Sequence, residues 1–233
     1  MTQLILLPGL ASDAVMWRDQ LAAIPARWNT HVTTVHSRHT SVPDMAAALL
    51  AEHEGELVLC GASMGGIVAM EAARQAPGRL RGLALLGTNA RPETGDMHRL
   101  REAAIVLFED GRSAELLRAN IPLAFHADHV SEARLTQTYL DFVLAAGAQQ
   151  LIQQNRAIMS RPDARTHLTR LSCPVLVLCG DSDQLTPPEC SEEIATLMPQ
   201  ARLVMIPRCG HMLTMEQPAR VNQLLLEWLR TLE

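Results

Sequence analysis

Six short apolar runs, separated by longer amphipathic segments, constrain the fold of this chain more than any other feature. Each run is four to six residues long and mostly continuous. They occupy positions 4–7, 31–35, 57–60, 82–86, 174–179 and 202–206. Continuous runs of this length are typical of strands buried on both faces, as in a parallel sheet covered by helices. The sequence therefore predicts an α/β fold with a mostly parallel sheet of about six strands.

The segments between the runs have the periodicity of amphipathic helices. Apolar residues between 221 and 232 form one stripe, with polar residues largely on the other side. Residues 64–75 predict a helix that ends at the Pro-Gly pair 77–78. The spacing of apolar residues from Trp17 to Trp28 predicts another helix. Strands that alternate with helices in this way favour a doubly wound arrangement.

The interval from 91 to 167 breaks this alternation. Its pattern is helical throughout, and a stretch of roughly 75 residues is too long to be a loop. We expect residues 1–90 and 168–233 to form the core of the molecule. Residues 91–167 are expected to form a helical cap, or lid, inserted before the strand predicted at 174–179.

Charge and composition exclude several classes of function. The net charge is −5 and the chain has no Lys/Arg run, which argues against nucleic acid or an anionic membrane as a partner. The five cysteines show no C-x-x-C pair and no metal-ligand spacing, so reduced thiols and no metal are expected. No apolar stretch reaches the ~20 residues of a membrane span. The first residues lack the basic segment of a signal peptide, and a cytoplasmic location is predicted.

The G-x-S-x-G pattern at 61–65 makes Ser63 a candidate nucleophile. It follows one apolar run and opens a predicted helix, which is the strand–turn–helix setting of a nucleophile elbow. Gly61 and Gly65 would remove side chains that collide at such a sharp turn. The helix that follows points its first N–H groups at developing negative charge. The simpler alternative is a small-residue junction with a surface serine.

A serine nucleophile needs a base, and the base needs an orienting acid. Of the nine histidines, His211 follows the last apolar run, in a loop at the edge of the sheet where active-site groups collect. The other eight histidines are expected to be solvated or to cap helices. The run at 174–179 leads to a loop with Asp181 and Asp183, and either carboxylate could reach His211.

The order Ser63, Asp183, His211, each on a loop after a strand, resembles the α/β-hydrolase superfamily, in particular its small cap-bearing "fold-6" type serine esterases. The stretch 180–183, with Pro187 soon after, is similar to the G-x-x-D motif that carries the acid in that family. The resemblance therefore favours Asp183 over Asp181. The stretch CGHMLTMEQP is similar to the family's G-H-x-x-x-x-E-x-P ending, with His211 as the base.

The resemblance also implies an oxyanion hole formed by the backbone N–H groups of Leu10 and Met64. Pro8 stands where the family usually has a histidine, while Gly9 and Leu10 follow in place. Because Pro8 is not required to donate a hydrogen bond, we expect the hole to survive with one side-chain brace fewer. The stretch TVHSRHTSVPD at 34–44 replaces the family's Asp-x-x-Gly-x-Gly turn.

What the resemblance implies is a carboxylesterase-type enzyme that cleaves esters of short-to-medium acyl chains through an acyl-enzyme, with no cofactor. Part of the apolar cap surface would line the acyl pocket. A lactonase, a carbon–carbon bond hydrolase acting on a keto or enol acid, or a peptidase removing N-terminal proline would show the same motifs. So would a ligand-binding receptor with slow turnover.

A carboxylate substrate would need a buried arginine near Ser63, and the candidates are Arg91, Arg99, Arg156 and Arg161. The partner is a small-molecule ester, and the oligomeric state is open.

Overall fold

The computed structural model describes residues 2–233, and a single six-stranded sheet lies at its centre. The strands are β1 (Gln3–Leu7), β2 (Thr30–Val32), β3 (Leu57–Ala62), β4 (Leu80–Leu86), β5 (Val175–Gly180) and β6 (Ala201–Ile206). Their order across the sheet is β2-β1-β3-β4-β5-β6, and every neighbouring pair is parallel. The predicted parallel sheet of about six strands is confirmed.

Helices connect the strands and cover both faces of the sheet. Within residues 2–233 the α-helices are α1 (Arg18–Ala23), α2 (Val35–Arg38), α3 (Val42–Glu52), α4 (Met64–Gln75), α5 (Gly95–Glu109), α6 (Ser113–Ala119), α7 (Ile121–Ala124), α8 (Ala133–Ala145), α9 (Gly147–Met159), α10 (Arg165–Leu168), α11 (Pro188–Leu197), α12 (Leu213–Glu216) and α13 (Pro218–Arg230). Successive residues of a strand point to opposite faces. Leu4 and Leu6 therefore face one apolar layer, with α13 and the helices between β4 and β5, whereas Ile5 and Leu7 face α3 and α4.

Two predicted elements differ from the structure. The run at 31–35 is a strand only to Val32, and Val35 instead begins α2 and is buried. The helix predicted from Trp17 to Trp28 is interrupted, because α1 ends at Ala23 and Ile24 is extended. Pro25 follows Ile24, and a residue that precedes proline is driven out of the helical conformation by steric contact with the proline ring.

Between β4 and β5 the chain forms helices only, as the helical pattern of 91–167 predicts. Helix α5 packs along α9, and α6 packs on α8. The short α10 packs instead on α4 and α11, which flank the sheet. The division of the chain into a core domain and a cap domain stays a prediction. In residues 2–233, no helix combines the length and apolar character that crossing a bilayer requires.

Cysteine side chains are free thiols. Cys60 and Cys179 are fully buried in the sheet, whereas Cys173 is only half-buried. Burial, with help from the nearby Asp183 carboxylate, raises the pKa of Cys179 to about 12. A thiol with such a pKa stays protonated at neutral pH and is a poor nucleophile.

Candidate active site

Ser63 occupies the junction between β3 and α4, in a backbone conformation that side chains rarely adopt. Its φ is 52° and its ψ is −118°. Conformations of this kind cost about 1–3 kcal/mol and persist only where the surroundings enforce them. Two contacts do so here: Ser63 N–H donates to the Leu86 carbonyl at 2.9 Å, and the Thr88 hydroxyl donates to the Ser63 carbonyl at 2.7 Å. The elbow geometry expected from the motif is present.

The glycines around Ser63 provide clearance for the backbone. A β-carbon at Gly65 would lie on the carbonyl of Leu7, at the end of β1, and one at Gly61 would lie on the carbonyl of Gly65. A β-carbon at Gly66 would come within 2.7 Å of the Thr88 side chain. Real β-carbons do not make contacts this short, so larger residues would force the N-terminus of α4 away from the sheet.

Asp183 and His211 form a buried pair at the ends of β5 and β6. His211 Nδ1 lies 2.8 Å from one carboxylate oxygen of Asp183 and 3.0 Å from the other. The Asp183 carboxylate also accepts the N–H groups of Leu185 and Thr186 and the Thr186 hydroxyl, each at 2.9 Å. Asp183 is only 2% exposed, so these donors replace the water that a free carboxylate would bind.

Burial and charge act on this pair in opposite directions. Burial alone raises the pKa of Asp183, but the charge and hydrogen bond of His211 and the Thr186 donors outweigh it and hold that pKa below its usual value. Burial alone lowers the pKa of His211, but the Asp183 carboxylate more than offsets it, so that pKa lies above 6.5. The pair can therefore hold a proton on His211 next to an ionised carboxylate.

Asp181, the second candidate acid, has a different set of contacts. Its carboxylate accepts the N–H groups of Arg208 and Cys209, at 3.1 and 3.3 Å, and the hydroxyl of Ser182. These bonds hold the loop that precedes His211, but no hydrogen bond joins Asp181 to the imidazole among residues 2–233. The geometry of the loop thus favours Asp183 as the partner of His211.

The segment 86–88 links the serine to the Asp–His pair. The Leu86 carbonyl accepts from Ser63 N–H, as described above. At the next residue, Gly87 has a φ of +50°. A β-carbon at Gly87 would lie 3.1 Å from an Asp183 carboxylate oxygen and 3.5 Å from His211 Nδ1. Ser63 and His211 therefore flank the same short loop at the carboxyl edge of the sheet.

The loop after β1 lies on the other side of Ser63. A β-carbon at Gly9 would be 3.4 Å from the β-carbon of Ser63, so the two segments nearly touch. Met64 is the first residue of α4, where an N–H group has no partner within the helix. Within residues 2–233, neither Leu10 N–H nor Met64 N–H donates a hydrogen bond. Two unused donors beside a serine are what an oxyanion hole requires.

The loop that carries His211 is bound to the helices between β4 and β5. His211 N–H and Met212 N–H both donate to the Ala124 carbonyl, at 2.9 and 3.2 Å. The buried Glu216 carboxylate accepts Gly210 N–H and Met212 N–H with one oxygen. Its other oxygen accepts His126 N–H and lies 2.9 Å from His129 Nδ1. The motif placed Glu216 near His211, but its contacts with 126–129 carry no sequence signal.

Two histidines that were expected to be solvated or to cap helices are buried, and that expectation is wrong for them. His36 Nε2 donates to the Ser12 carbonyl at 2.8 Å, and His167 Nε2 donates to the Met70 carbonyl at 3.0 Å. Burial lowers the pKa of both rings, although these backbone bonds act against the shift. His129 is largely shielded as well, because it faces Glu216.

The four arginines considered for a carboxylate substrate are each paired with a carboxylate of the chain itself. Within residues 2–233, no hydrogen bond or ion pair joins one of them to Ser63. The pairs are Arg91 with Glu193, Arg99 with Asp96, Arg156 with Glu109, and Arg161 with Glu93. Only the last of these pairs is deeply buried.

A six-stranded parallel sheet, covered by helices and carrying an elbow serine, defines an α/β enzyme of the hydrolase type. Comparison with known families agrees: the model of the alpha/beta hydrolase family matches residues 4–224. The chain belongs to that family. The pimeloyl-[acyl-carrier protein] methyl ester esterase of Nitrosomonas europaea is 24% identical, over 89% of this chain and 88% of that protein.

Solved structures show the same fold. A thermophilic esterase from Thermogutta terrifontis superimposes with a TM-score of 0.90 at 30% identity, covering 100% of this chain and 90% of that one. The enol-lactonase of Burkholderia xenovorans superimposes with a TM-score of 0.85 at 21% identity, covering 99% and 92%. The relatives are esterases and other hydrolases, which supports hydrolytic activity in this chain.

Proposed function

We propose that this protein is a carboxylesterase-type serine hydrolase with Ser63 as nucleophile, His211 as base and Asp183 as orienting acid. The observation that carries the proposal is the 2.8 Å contact of His211 Nδ1 with the buried Asp183 carboxylate, at the same sheet edge as an elbow serine. A carboxylate on Nδ1 fixes the tautomer that leaves Nε2 free to accept a proton.

The reaction proceeds through an acyl-enzyme. Ser63 Oγ attacks the acyl carbonyl while His211 Nε2 takes its proton, and the Leu10 and Met64 N–H groups bind the oxyanion. His211 then protonates the leaving alkoxide, and water, activated by the same base, releases the acid. One oxyanion donor is worth about 3–4 kcal/mol of transition-state stabilisation. Asp183 stays ionised throughout, which its lowered pKa supports.

One observation supports an uncharged ester as substrate. The candidate arginines are committed to carboxylates of the chain, which disfavours a keto or enol acid.

A substrate panel tests the proposal. It contains p-nitrophenyl esters of increasing acyl length, a lactone and an anilide, each assayed with wild type, Ser63→Ala and Ser182→Ala. We expect ester turnover with a maximum at short or medium chains, its loss in Ser63→Ala, and its retention in Ser182→Ala, whose exposed hydroxyl contacts only Asp181. Turnover by Ser63→Ala would overturn the serine mechanism. A maximum at long chains would overturn the proposed acyl range, and a preference for the lactone would make the protein a lactonase.

A further inference from the structure

The hydroxyl of Thr186 lies between the candidate acid and the candidate base. Its Oγ1 donates to Asp183 Oδ2 at 2.9 Å and lies 3.3 Å from His211 Nδ1. Oδ2 is also the carboxylate oxygen nearest to the imidazole, with His211 Nδ1 2.8 Å away. The three atoms therefore form a closed triangle, whose longest side joins Thr186 to the base.

The number of protons in this triangle fixes the direction of each hydrogen bond. The ionised Asp183 carboxylate only accepts. His211 Nδ1 carries a proton and donates it to the carboxylate, in the neutral and in the charged form of the ring alike. The single Thr186 proton therefore has no acceptor at Nδ1, and it goes to Oδ2. Thr186 is a donor to the acid and not to the base.

The two oxygens of Asp183 are held in different ways. Oδ1 accepts the N–H groups of Leu185 and Thr186, both at 2.9 Å, from the loop itself. Within residues 2–233, Oδ2 accepts only from His211 and from the Thr186 hydroxyl. Without that hydroxyl, the imidazole would be the only donor to Oδ2. The Thr186 bond is thus the one contact to this oxygen that does not come from the base itself.

The backbone around Thr186 fixes the position of this hydroxyl. Thr186 N–H is bound to Asp183, as described above, and the Thr186 carbonyl accepts the Cys179 thiol at 3.8 Å. Pro187 comes next, and a residue before proline is restricted to extended conformations. A β-branched side chain on a fixed backbone has few choices of χ1. The hydroxyl is therefore held toward the acid and the base before any substrate binds.

The Thr186 bond contributes differently in the two protonation states of His211. When His211 is neutral, the buried pair carries one uncompensated negative charge, and a hydrogen-bond donor stabilises it strongly. When His211 is charged, the imidazolium already compensates the carboxylate, so the same donor contributes less. The bond therefore favours the neutral ring, which is the form that accepts a proton from Ser63.

The other titratable groups near the pair do not replace this effect. The buried Glu216 carboxylate acts in the opposite direction, because its negative charge raises the pKa of His211. Three thiols lie near Asp183, and burial raises the pKa of each, so they are uncharged at neutral pH. They are Cys179, Cys190 and Cys209. Among the described side chains, only His211 and Thr186 donate to Asp183.

We propose that Thr186 is a positioning residue for the base: its hydroxyl holds Asp183 Oδ2 opposite His211 Nδ1 and favours the neutral, proton-accepting form of the ring. The proposal rests on the proposed roles of Ser63, Asp183 and His211. Thr186 does not contact the reacting atoms; it acts through the carboxylate. A valine in its place would keep the nucleophile, acid and base but leave the base charged in a larger fraction of molecules at neutral pH.

The test follows a reaction that needs the base but no particular substrate. A fluorophosphonate phosphonylates Ser63: the Oγ–P bond forms, the P–F bond breaks with release of fluoride, and the serine proton passes to His211. The labelling rate, read by intact mass, is measured as a function of pH for wild type, Thr186→Val, Thr186→Ser and Thr196→Val. Thr196 is the matched control, because its exposed hydroxyl donates only to the Glu192 carbonyl, at 2.8 Å within α11.

Thr186→Val keeps the shape of the side chain and removes the donor. We expect the midpoint of its acidic limb to rise by about 0.5 pH unit or more, so that labelling on the limb is at least about threefold slower. Thr186→Ser keeps the hydroxyl, so its limb should lie within about 0.2 pH unit of wild type, as should that of Thr196→Val. A purely structural role predicts the opposite sign, because an Asp183 carboxylate that turns away from His211 no longer raises the pKa of the ring. If Thr186→Val does not fold, Thr186→Cys takes its place, and its weak donor should give a smaller shift of the same sign.

An acidic limb that stays in place or moves to lower pH in Thr186→Val would overturn the proposal, and so would an equal shift in Thr186→Ser or Thr196→Val. A wild-type protein that is labelled at Ser63 but hydrolyses no ester would overturn the proposed function alone, and the pH comparison would still decide the role of Thr186. A wild-type protein that is not labelled at Ser63 would overturn both.

Discussion

At the residue scale, the candidate site is controlled by one buried charge. Asp183 is nearly inaccessible to solvent, yet its lowered pKa keeps it ionised because five donor contacts from His211, Leu185 and Thr186 surround it. Its negative charge in turn raises the pKa of His211. The pKa of His211, the base of the proposed reaction, therefore depends on the charge of Asp183. A titration of His211 will detect a change at Asp183.

This coupling predicts the pH dependence of hydrolysis. Only neutral His211 can accept the serine proton, so kcat/KM should rise with pH through the pKa of His211, along an acidic limb whose midpoint lies above 6.5. In Asp183→Asn the charge that raises that pKa is gone, so the limb should move to lower pH. The rate should also fall by up to ~10⁴-fold, the loss known for the corresponding change in a serine protease. A pH–rate profile of each variant measures both effects.

Asp181→Asn is the control for this experiment. An asparagine keeps an acceptor for one of the two N–H groups of Arg208 and Cys209, which bind different carboxylate oxygens, and it removes a neighbouring charge without touching His211. Its acidic limb should coincide with that of wild type. A limb that moves in Asp181→Asn, or stays in place in Asp183→Asn, would contradict the assignment of the acid.

At the element scale, the site depends on how closely helix α4 approaches strand β1. Gly65 brings the first turn of α4 against the carbonyls of Leu7 and Pro8, where no side chain fits. The same contact brings the start of α4, where Met64 lies, against the chain just beyond the end of β1, shortly before Leu10. The two segments that carry the proposed oxyanion donors thus come together beside Ser63 because Gly65 has no side chain.

The close packing predicts a large cost for a single methyl group. Gly65→Ala should lower the free energy of unfolding by about 3 kcal/mol or more, since the strained atoms belong to backbone and cannot rotate away. Gly78→Ala is the matched change in the turn after the same helix, where a β-carbon meets nothing within 4 Å. It should be neutral or stabilising by up to about 1 kcal/mol. Urea unfolding midpoints compare the two, and equal values would refute the packing argument.

At the scale of the whole molecule, the helices between β4 and β5 are tied to both sides of the candidate site. Gln154 reaches the Leu10 loop on one side, and the Ala124 carbonyl and residues 126–129 bind the His211 loop on the other. The aromatic rings of Phe125, Tyr139 and Phe142 continue from there in edge-to-face contacts, with centroids 5.3 and 5.6 Å apart. These helices therefore contribute to the geometry of the site as well as covering it.

Glu216 provides the test of this coupling. Glutamine offers one acceptor oxygen where the carboxylate offers two, so Glu216→Gln would leave buried N–H groups of the 126–129 segment or the His211 loop unpaired. We expect a loss of about 2–3 kcal/mol in the free energy of unfolding. We also expect a fall in kcat larger than any change in KM, because the base is displaced rather than the substrate.

Glu227→Gln is the control. Glu227 pairs with Arg202 at the surface, 2.9 Å away, and exposed pairs contribute little. Its unfolding free energy should change by less than about 0.5 kcal/mol, with unaltered kinetics. Chemical unfolding and steady-state kinetics compare the two variants. If Glu216→Gln is as stable and as active as Glu227→Gln, the 126–129 segment and the His211 loop are not coupled.

The fold and the candidate residues were predictable wherever the physical cause is local. Runs of buried residues predicted each strand to within two residues, apart from the end of β2, where a short edge strand gives way to α2. The spacing of Gly61, Ser63 and Gly65 predicted an elbow, because the clash that Gly61 avoids, with the carbonyl of Gly65, lies within one turn of chain. The choice between Asp181 and Asp183 was open from the loop alone, and needed the family motif or the structure.

What the sequence determined by itself is therefore the parallel sheet, the position of the elbow and the three loops that carry Ser63, Asp183 and His211. These follow from hydrophobic periodicity and backbone sterics, which act between residues close in the chain. What only the tertiary structure decided is which distant groups complete the site. Ala11 and Gln154 are 143 residues apart, and their hydrogen bond exists because packing of α9 against α2 places one buried amide opposite one N–H. A local sequence pattern cannot predict this contact, because it forms only when the residues between Ala11 and Gln154 have folded.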